Sequence, residues 1–142
     1  MSDKSIFHLL VKLCRSHYKK THKLLEELGL YRGQPPLLHL LWEKEGRTQK
    51  ELSDKLKTKP ATIAKMVKRL EKEGFIEKKL DKDDKRLSRI YLTDKGKNIR
   101  KKVKEIENKI DNICVDGFTG EEKILLKRFL RNIIDNLSSE IE

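Results

Sequence analysis

At Gly74 the spacing of apolar residues changes, and no other feature of the chain limits its fold as much. Before that point, "TQKELSDKLKTKPATIAKMVKRLEKEG" sets Leu52 and Leu56, then Ile63, Val67 and Leu70, at steps of three and four, the period of two short helices. After it, "FIEKKL" places Ile76 and Leu80 on one side of an extended segment, and "SRIYL" places Ile90 and Leu92 on one side of another. Thr48 and Glu51 have the spacing of a capping box, in which the Thr oxygen accepts from a first-turn N–H and the Glu reaches back, so they start the first helix. Pro60 starts the second, Gly74 stops it, and "KTK" between them is the turn. Two helices on a short turn, followed by strand, loop and strand, form a winged helix-turn-helix.

The flanks are helical. Ile6, Leu10, Leu13, Leu24 and Leu28, with Phe7, Cys14, Tyr18 and Leu25 beside them, make a stripe that Gly29 closes. Pro35 and Pro36 open a helix over "PPLLHLLWEKE" that ends at Gly46. Thr93 caps a long helix in which Ile99, Val103, Ile106, Ile110 and Ile113 recur at steps of four and three, as in a coiled-coil seam. Gly117 breaks it, and Thr119 with Glu122 starts a last helix carrying Leu126, Leu130, Ile133 and Leu137. These stripes hold more apolar surface than a small winged-helix core covers, so pairing with a second copy is the natural burial. The expected fold is therefore mainly α with a small β wing. Its expected parts are an N-terminal dimerisation helix over 1–32, a winged helix-turn-helix domain over 33–97 and C-terminal dimerisation helices over 98–142.

The charge is concentrated. The stretch from Lys57 to Lys104 holds 18 Lys plus Arg against 7 Asp plus Glu, which accounts for the whole formal charge of +11 on 142 residues. A balance of that kind favours a polyanion, nucleic acid before membrane. Aromatic residues are only 6% of the chain and form no stacking platform, which argues against single-strand binding. The two cysteines, Cys14 and Cys114, form no short-spaced pair, so a reduced, cytoplasmic protein is expected. The run "IFHLLVKLC" reads as an amphipathic helix and not a signal peptide, and no stretch reaches the length of a membrane span. His8, His17, His22 and His39 show no clear i, i+4 metal pair, and no metal or cofactor is expected.

In a winged helix the second helix of the pair is the groove reader. The face opposite Ile63, Val67 and Leu70 carries Ala61, Lys65, Lys68 and Lys72, with Thr62 and Arg69 at its edge. Pro60, Ala61 and Thr62 at its start let the backbone approach DNA, and free N–H groups there favour phosphate. Lys65 and Lys68 are the cationic arms, Lys68 for phosphate. The hairpin tip, with Lys85 and Arg86, suits the minor groove, whose narrow A·T stretches attract Arg. Asp84 can hold Arg86 extended through a bidentate pair. Asp81 and Asp83 stiffen the loop or cap its N–H groups, and Arg89 reaches phosphate or pairs back to the aspartates.

These residues resemble the multiple-antibiotic-resistance repressor (MarR) family of bacterial transcription regulators. The resemblance rests on "TQKELSDKLKTKPATIAKMVKRLEKEGFIEKK", on "DKDDKR" and on "IYLTDKGK", with the family's wing pattern falling on Asp84, Arg86, Leu92, Thr93 and Gly96. It covers essentially the whole chain. It implies a homodimer that binds a pseudo-palindromic operator of double-stranded DNA, usually as a repressor, with Thr62 and Lys65 in the major groove and Arg86 in the minor groove. It also implies release by a small aromatic or anionic effector, an oxidant or a metal, for which His17, Tyr18, His39 and Trp42 are the candidate lining. Peroxide-sensing relatives carry a cysteine near the start of the first helix, where this chain has Phe7; Cys14 lies about two turns further on. Two other readings fit parts of the sequence: a metal-dependent nuclease using Asp81, Asp83 and Asp84, and a winged-helix module for RNA or protein. The nuclease reading is disfavoured, since the loop lacks the Gly of a calcium loop, Lys82 and Lys85 interleave it and no base is nearby. An enzyme is not expected.

Overall fold

A computed structural model describes residues 5–31 and 33–141. Residues 1–4 and Arg32, at the two ends of the expected N-terminal segment, lie outside the described residues. The elements in chain order are α1 (Ile6–Glu26), α2 (Gln34–Glu43), β1 (Arg47–Thr48), α3 (Gln49–Leu56), α4 (Pro60–Lys72), β2 (Ile76–Leu80), β3 (Ser88–Leu92), α5 (Asp94–Cys114) and α6 (Gly120–Ile141). The chain is mainly α with a small antiparallel sheet of order β1-β3-β2. Strand β1 has no counterpart in the sequence reading, because two residues carry no alternation to detect. No helix among the described residues is long and apolar enough to cross a membrane.

Two compact units divide the chain, Met1–Glu107 and Asn108–Glu142, and the division falls inside α5. In the first unit one core joins Leu25, the α2 leucines Leu37, Leu38 and Leu41, Leu52 of α3, and Ile63, Val67 and Leu70 of α4. Leu30, Phe75 and Ile76, Ile90 and Leu92 of the hairpin, and Ile99 and Val103 of α5 complete it. Ile99 and Val103 are thus core residues of this unit, with Ile106 packed beside them; Ile110 is buried as well, and of the stripe Ile113 is left exposed. Fully burying such a side chain is worth about 1.5–3 kcal/mol, so the core decides which face of each helix turns inward.

Local chemistry fixes the corners. The Glu51 N–H donates to Thr48 Oγ1 at 3.2 Å, one half of the expected capping box; the Glu51 carboxylate instead lies 4.0 Å from Arg89 Nη1. In the turn between α3 and α4, Lys57 takes a left-handed conformation (φ 50°), the Ser53 hydroxyl donates to the Thr58 carbonyl at 2.5 Å, and the Thr58 N–H returns to the Ser53 carbonyl. Gly74, at φ 83°, supplies the left-handed step that leads α4 into β2. Gly96 is needed for a different reason. A Cβ there would overlap the Phe75 carbonyl oxygen, and the Gly96 N–H is bonded to Thr93 Oγ1, which itself donates to the Gly74 carbonyl.

The hairpin pairs Ile76 with Leu92 through to Leu80 with Ser88. Ile76, Ile90 and Leu92 are buried, but Leu80, expected to share the inner side with Ile76, is 65% exposed. The period of two does put both on one face. At about 3.3 Å per residue, however, Leu80 stands about 13 Å beyond Ile76, past the edge of the core.

In the second unit the full capping box forms: the Thr119 N–H donates to Glu122 Oε1 (2.8 Å) and the Glu122 N–H to Thr119 Oγ1 (3.1 Å). Among the described side chains of α6 none is buried, and Ile124, Phe129, Ile134 and Leu137 are all exposed. On α1 only Leu25 is buried, and Ile6, Phe7, Leu9 and Leu13 are exposed.

Candidate nucleic-acid interface

Helix α4 keeps the amphipathic division that its sequence dictates. Ile63, Val67 and Leu70 are buried, while Pro60, Ala61, Thr62, Lys65, Lys68 and Arg69 are exposed. Its start offers fewer free donors than the sequence reading expects. Pro60 has no N–H, and the N–H groups of Thr62 and Ile63 both donate to the Lys59 carbonyl, at 3.0 and 3.1 Å. Of these four residues Ala61 alone keeps an N–H outside backbone pairing. Arg69 has a partner that sequence reasoning missed: its guanidinium carbon lies 3.4 Å from the centre of the Tyr31 ring, a cation–π contact that ties α4 to the segment after α1.

The wing loop, residues 81–87, is organised by its acids. Asp81 Oδ2 accepts from the N–H groups of Asp83 (3.0 Å) and Asp84 (2.8 Å), and Asp81 Oδ1 accepts from Arg89 Nε (2.7 Å). Asp84 holds Arg86 through two parallel bonds, from Nε at 3.0 Å and from Nη2 at 3.1 Å, and also accepts from the Arg86 backbone N–H. The Arg86 side chain is nonetheless 90% exposed. Five N–H donors sit on a guanidinium and two are used, so three remain directed at solvent. Lys85, beside it, is exposed as well.

The pKa values move as this geometry requires. The hydrogen bond from Arg89 is the main reason that the Asp81 carboxyl lies below the ordinary carboxylate value, with the Asp84 and Asp83 N–H groups acting in the same direction. Arg86 does the same for Asp84. Each arginine is raised in turn, Arg86 by Asp84 and Arg89 by Asp81. Arg89 is held further by the Gly46 carbonyl, to which its Nη1 donates at 2.8 Å. The sequence reading left it between phosphate and the aspartates; in the structure it is on the aspartate side.

A cavity of about 400 Å³ lies within the first unit, lined by His17, Tyr18, His22, His39, Val103 and Glu107 among others. Three of the four expected effector residues meet there. Trp42 does not line it: the indole N–H donates to the Gly96 carbonyl at 2.9 Å and the ring packs edge-on against His39. His39 Nε2 is 2.9 Å from Glu107 Oε2, which joins α2 to α5. The sequence reading missed Thr21 and His22, whose Oγ1 and Nδ1 are buried without a hydrogen-bond partner. Spacing holds the signal for them: 17, 21 and 25, and 18 and 22, share one face of α1. Cys14 and Cys114 are both exposed and unpaired, and no group of three or more His, Cys, Asp or Glu among the described residues is arranged to hold a metal ion.

The MarR family profile matches residues 30–88. The organic hydroperoxide resistance transcriptional regulator of Bacillus subtilis is 30% identical over 135 residues, which are 95% of this chain and 90% of that protein. The structure of the MarR protein from Peptoclostridium difficile superposes with a TM-score of 0.82 at 34% identity, covering 99% of this chain and 92% of that one. A MarR family regulator from Listeria monocytogenes, complexed with 26mer DNA, matches with a TM-score of 0.78 at 26% identity, covering 96% and 91%. The relatives are regulators and not enzymes, which removes the nuclease reading of Asp81, Asp83 and Asp84. With the helix pair, the Asp84–Arg86 wing and the full-length likeness in agreement, this chain belongs to the MarR family of transcriptional regulators.

Proposed function

We propose that this regulator is a homodimer that binds a pseudo-palindromic operator in double-stranded DNA and represses transcription from it. The observation that carries the reading is Arg86: 90% exposed, gripped by Asp84 through two bonds, and in the same compact unit as the exposed Thr62, Lys65 and Lys68 face of α4. A pre-paired guanidinium loses less freedom on docking, and three free donors suit the acceptors of a minor-groove floor. Thr62 and Lys65 enter the major groove, with Pro60 and Ala61 admitting the backbone; Lys68 and Lys85 neutralise phosphate. The Listeria relative, crystallised in complex with 26mer DNA, supports this choice of partner.

Dimerisation is supported by what one copy leaves uncovered. The exposed apolar residues of α1 and those of α6 form faces that a single chain does not bury. In this reading 1–32 and the C-terminal helices pair the subunits, while 33–97 binds DNA together with the start of α5, whose Ile99 and Val103 belong to the same core. A twofold pair places two reading heads one helical turn, or a multiple of it, apart.

The effector site is the cavity between α1, α2 and α5, with His17, Tyr18, His22 and His39 around it and an apolar floor at Leu25, Val103 and Ile106. A small aromatic acid fits that mixture, since the rings stack and the unpartnered Thr21 hydroxyl can donate to a carboxylate. Thiol sensing is disfavoured, because Phe7 stands where peroxide-sensing relatives carry cysteine. A regulator of this kind works in the cytoplasm.

The test is selection of bound fragments from the source genome, followed by titration of the enriched duplex with the purified protein while its mass is followed by sedimentation. A dimer binding the selected duplex far more tightly than scrambled DNA is the expected result. A stable monomer, or indifference to duplex at low ionic strength, overturns the proposal.

A further inference from the structure

Arg89, like Arg86, pairs with an aspartate, but it differs in exposure and in being tied to a second element as well. It sits on β3, opposite Thr48 of β1 and Lys79 of β2, and its side chain is only 31% exposed against 90% for Arg86. Nε is committed to Asp81 at 2.7 Å and Nη1 to the Gly46 carbonyl at 2.8 Å, with Glu51 4.0 Å away on the same nitrogen. To reach a phosphate, Arg89 must leave a carboxylate and a carbonyl at once, and strand the Asp81 charge in a half-buried place (19% exposed).

The bonds run onward from there to the tip. Asp81 uses its second oxygen to fix the N–H groups of Asp83 and Asp84. Asp84, with its backbone fixed, turns its own carboxylate onto both the backbone and the guanidinium of Arg86. A continuous chain of hydrogen bonds and loop backbone therefore leads from Gly46, at the start of the sheet, through Arg89, Asp81 and Asp84 to the exposed Arg86. This also explains why a basic surface carries acids in this loop: Asp81 and Asp84 build the support and are not left facing phosphate.

We infer that Arg89 is a positioning residue, which makes no contact with DNA and acts through Asp81 and Asp84 to hold Arg86 in the pose that enters the minor groove. The inference rests on the proposed role of the wing in DNA binding.

The experiment compares Arg89→Lys and Asp81→Asn, each alone and combined with Arg86→Ala, for affinity to the selected duplex. In the free protein it follows the NMR order parameter of the Arg86 Nε–H. Asp81→Asn removes a negative charge from the DNA side, which by charge alone tightens binding; the inference expects it to weaken binding about tenfold. Arg89→Lys keeps the charge, but an ammonium does not reproduce the planar fork that reaches carboxylate and carbonyl together, so it is expected to weaken binding as Asp81→Asn does. Both losses should vanish in the Arg86→Ala background, since the pathway ends at Arg86. Tighter binding by Asp81→Asn, near-parental binding by Arg89→Lys, or additive losses overturn it. The NMR measurement separates the two readings. If the order of the Arg86 Nε–H falls in the variants while the parent ignores duplex, the DNA reading fails and the support stands; if the order is unchanged, the support fails whatever the DNA result. Should Asp81→Asn lower the melting temperature, Arg89→Lys, which leaves the loop carboxylates in place, decides the matter.

Discussion

Helices α4 and α6 are both amphipathic, yet one completes its burial within the chain and the other does not. Ile63, Val67 and Leu70 of the 13-residue α4 are fully buried. The 22-residue α6 buries none of its described side chains, and Ile124, Phe129, Ile134 and Leu137 range from 52% to 70% exposed. The difference teaches that an apolar stripe states that a helix packs on something and leaves open what. For α4 the partner is the rest of its own unit; α6 half-buries Leu126 and Ile133 but leaves Ile124, Phe129, Ile134 and Leu137 exposed, and a second copy is the partner proposed for that face.

The sharpest way to break the comparison is to cut one residue from each stripe. Ile63→Ala should cost about 2–5 kcal/mol of unfolding free energy. Because that core is complete in one chain, the loss measured by urea titration should not depend on protein concentration. Phe129→Glu with Ile134→Glu should instead act on association, at on the order of 2 kcal/mol for each charge placed in the interface. Sedimentation should show monomers, and the urea midpoint should become insensitive to concentration. If the double variant remains a dimer, α6 is not the seam. Ile106 is unsuited to this purpose, since it packs against the core and its loss confuses the two effects.

Smaller effects belong to the DNA face and should leave the assembly untouched. Arg86→Ala is expected to weaken operator binding by roughly 1–3 kcal/mol, with no change in sedimentation; equal affinity removes the wing from the mechanism. Lys68→Ala should weaken all duplexes alike and lower the salt slope by about one unit. An unchanged slope means that Lys68 touches no phosphate.

The slightest effect is on pH. Asp81 and Asp84 both titrate below the ordinary value of 3.8 because arginines bind their charged forms. Their contribution to wing order is therefore fully present above pH 3.8 and is lost as pH falls through the lowered native values. The Arg86 Nε–H resonance should stay constant from neutrality down to that point and move only below it. Movement near pH 6 would place another group in the support.

How much of this was legible in the sequence depends on how far apart the interacting residues lie. The helix pair, its turn and the Thr119 cap were readable because their partners are three to five residues apart. The Asp84–Arg86 pair was readable for the same reason, at a separation of two. Arg89 was ambiguous because the bond that decides its role goes to Gly46, 43 positions away. Tyr31 under Arg69 and Glu107 beside His39 were missed on the same account. Leu80 was misjudged because alternation gives the face of a strand but not where the core beneath it stops.

The sequence by itself determined the helices and the β2–β3 hairpin, the basic face of α4, the paired wing arginine and the family, since periodicity, caps and short-range charge pairs act over a few residues. Only the tertiary structure decided that Ile99 and Val103 belong to the core, that α6 leaves Ile124, Phe129 and Ile134 exposed, and that Arg89 faces inward. Those outcomes depend on which surfaces meet, and burial is a property of the assembled neighbours that no single segment contains.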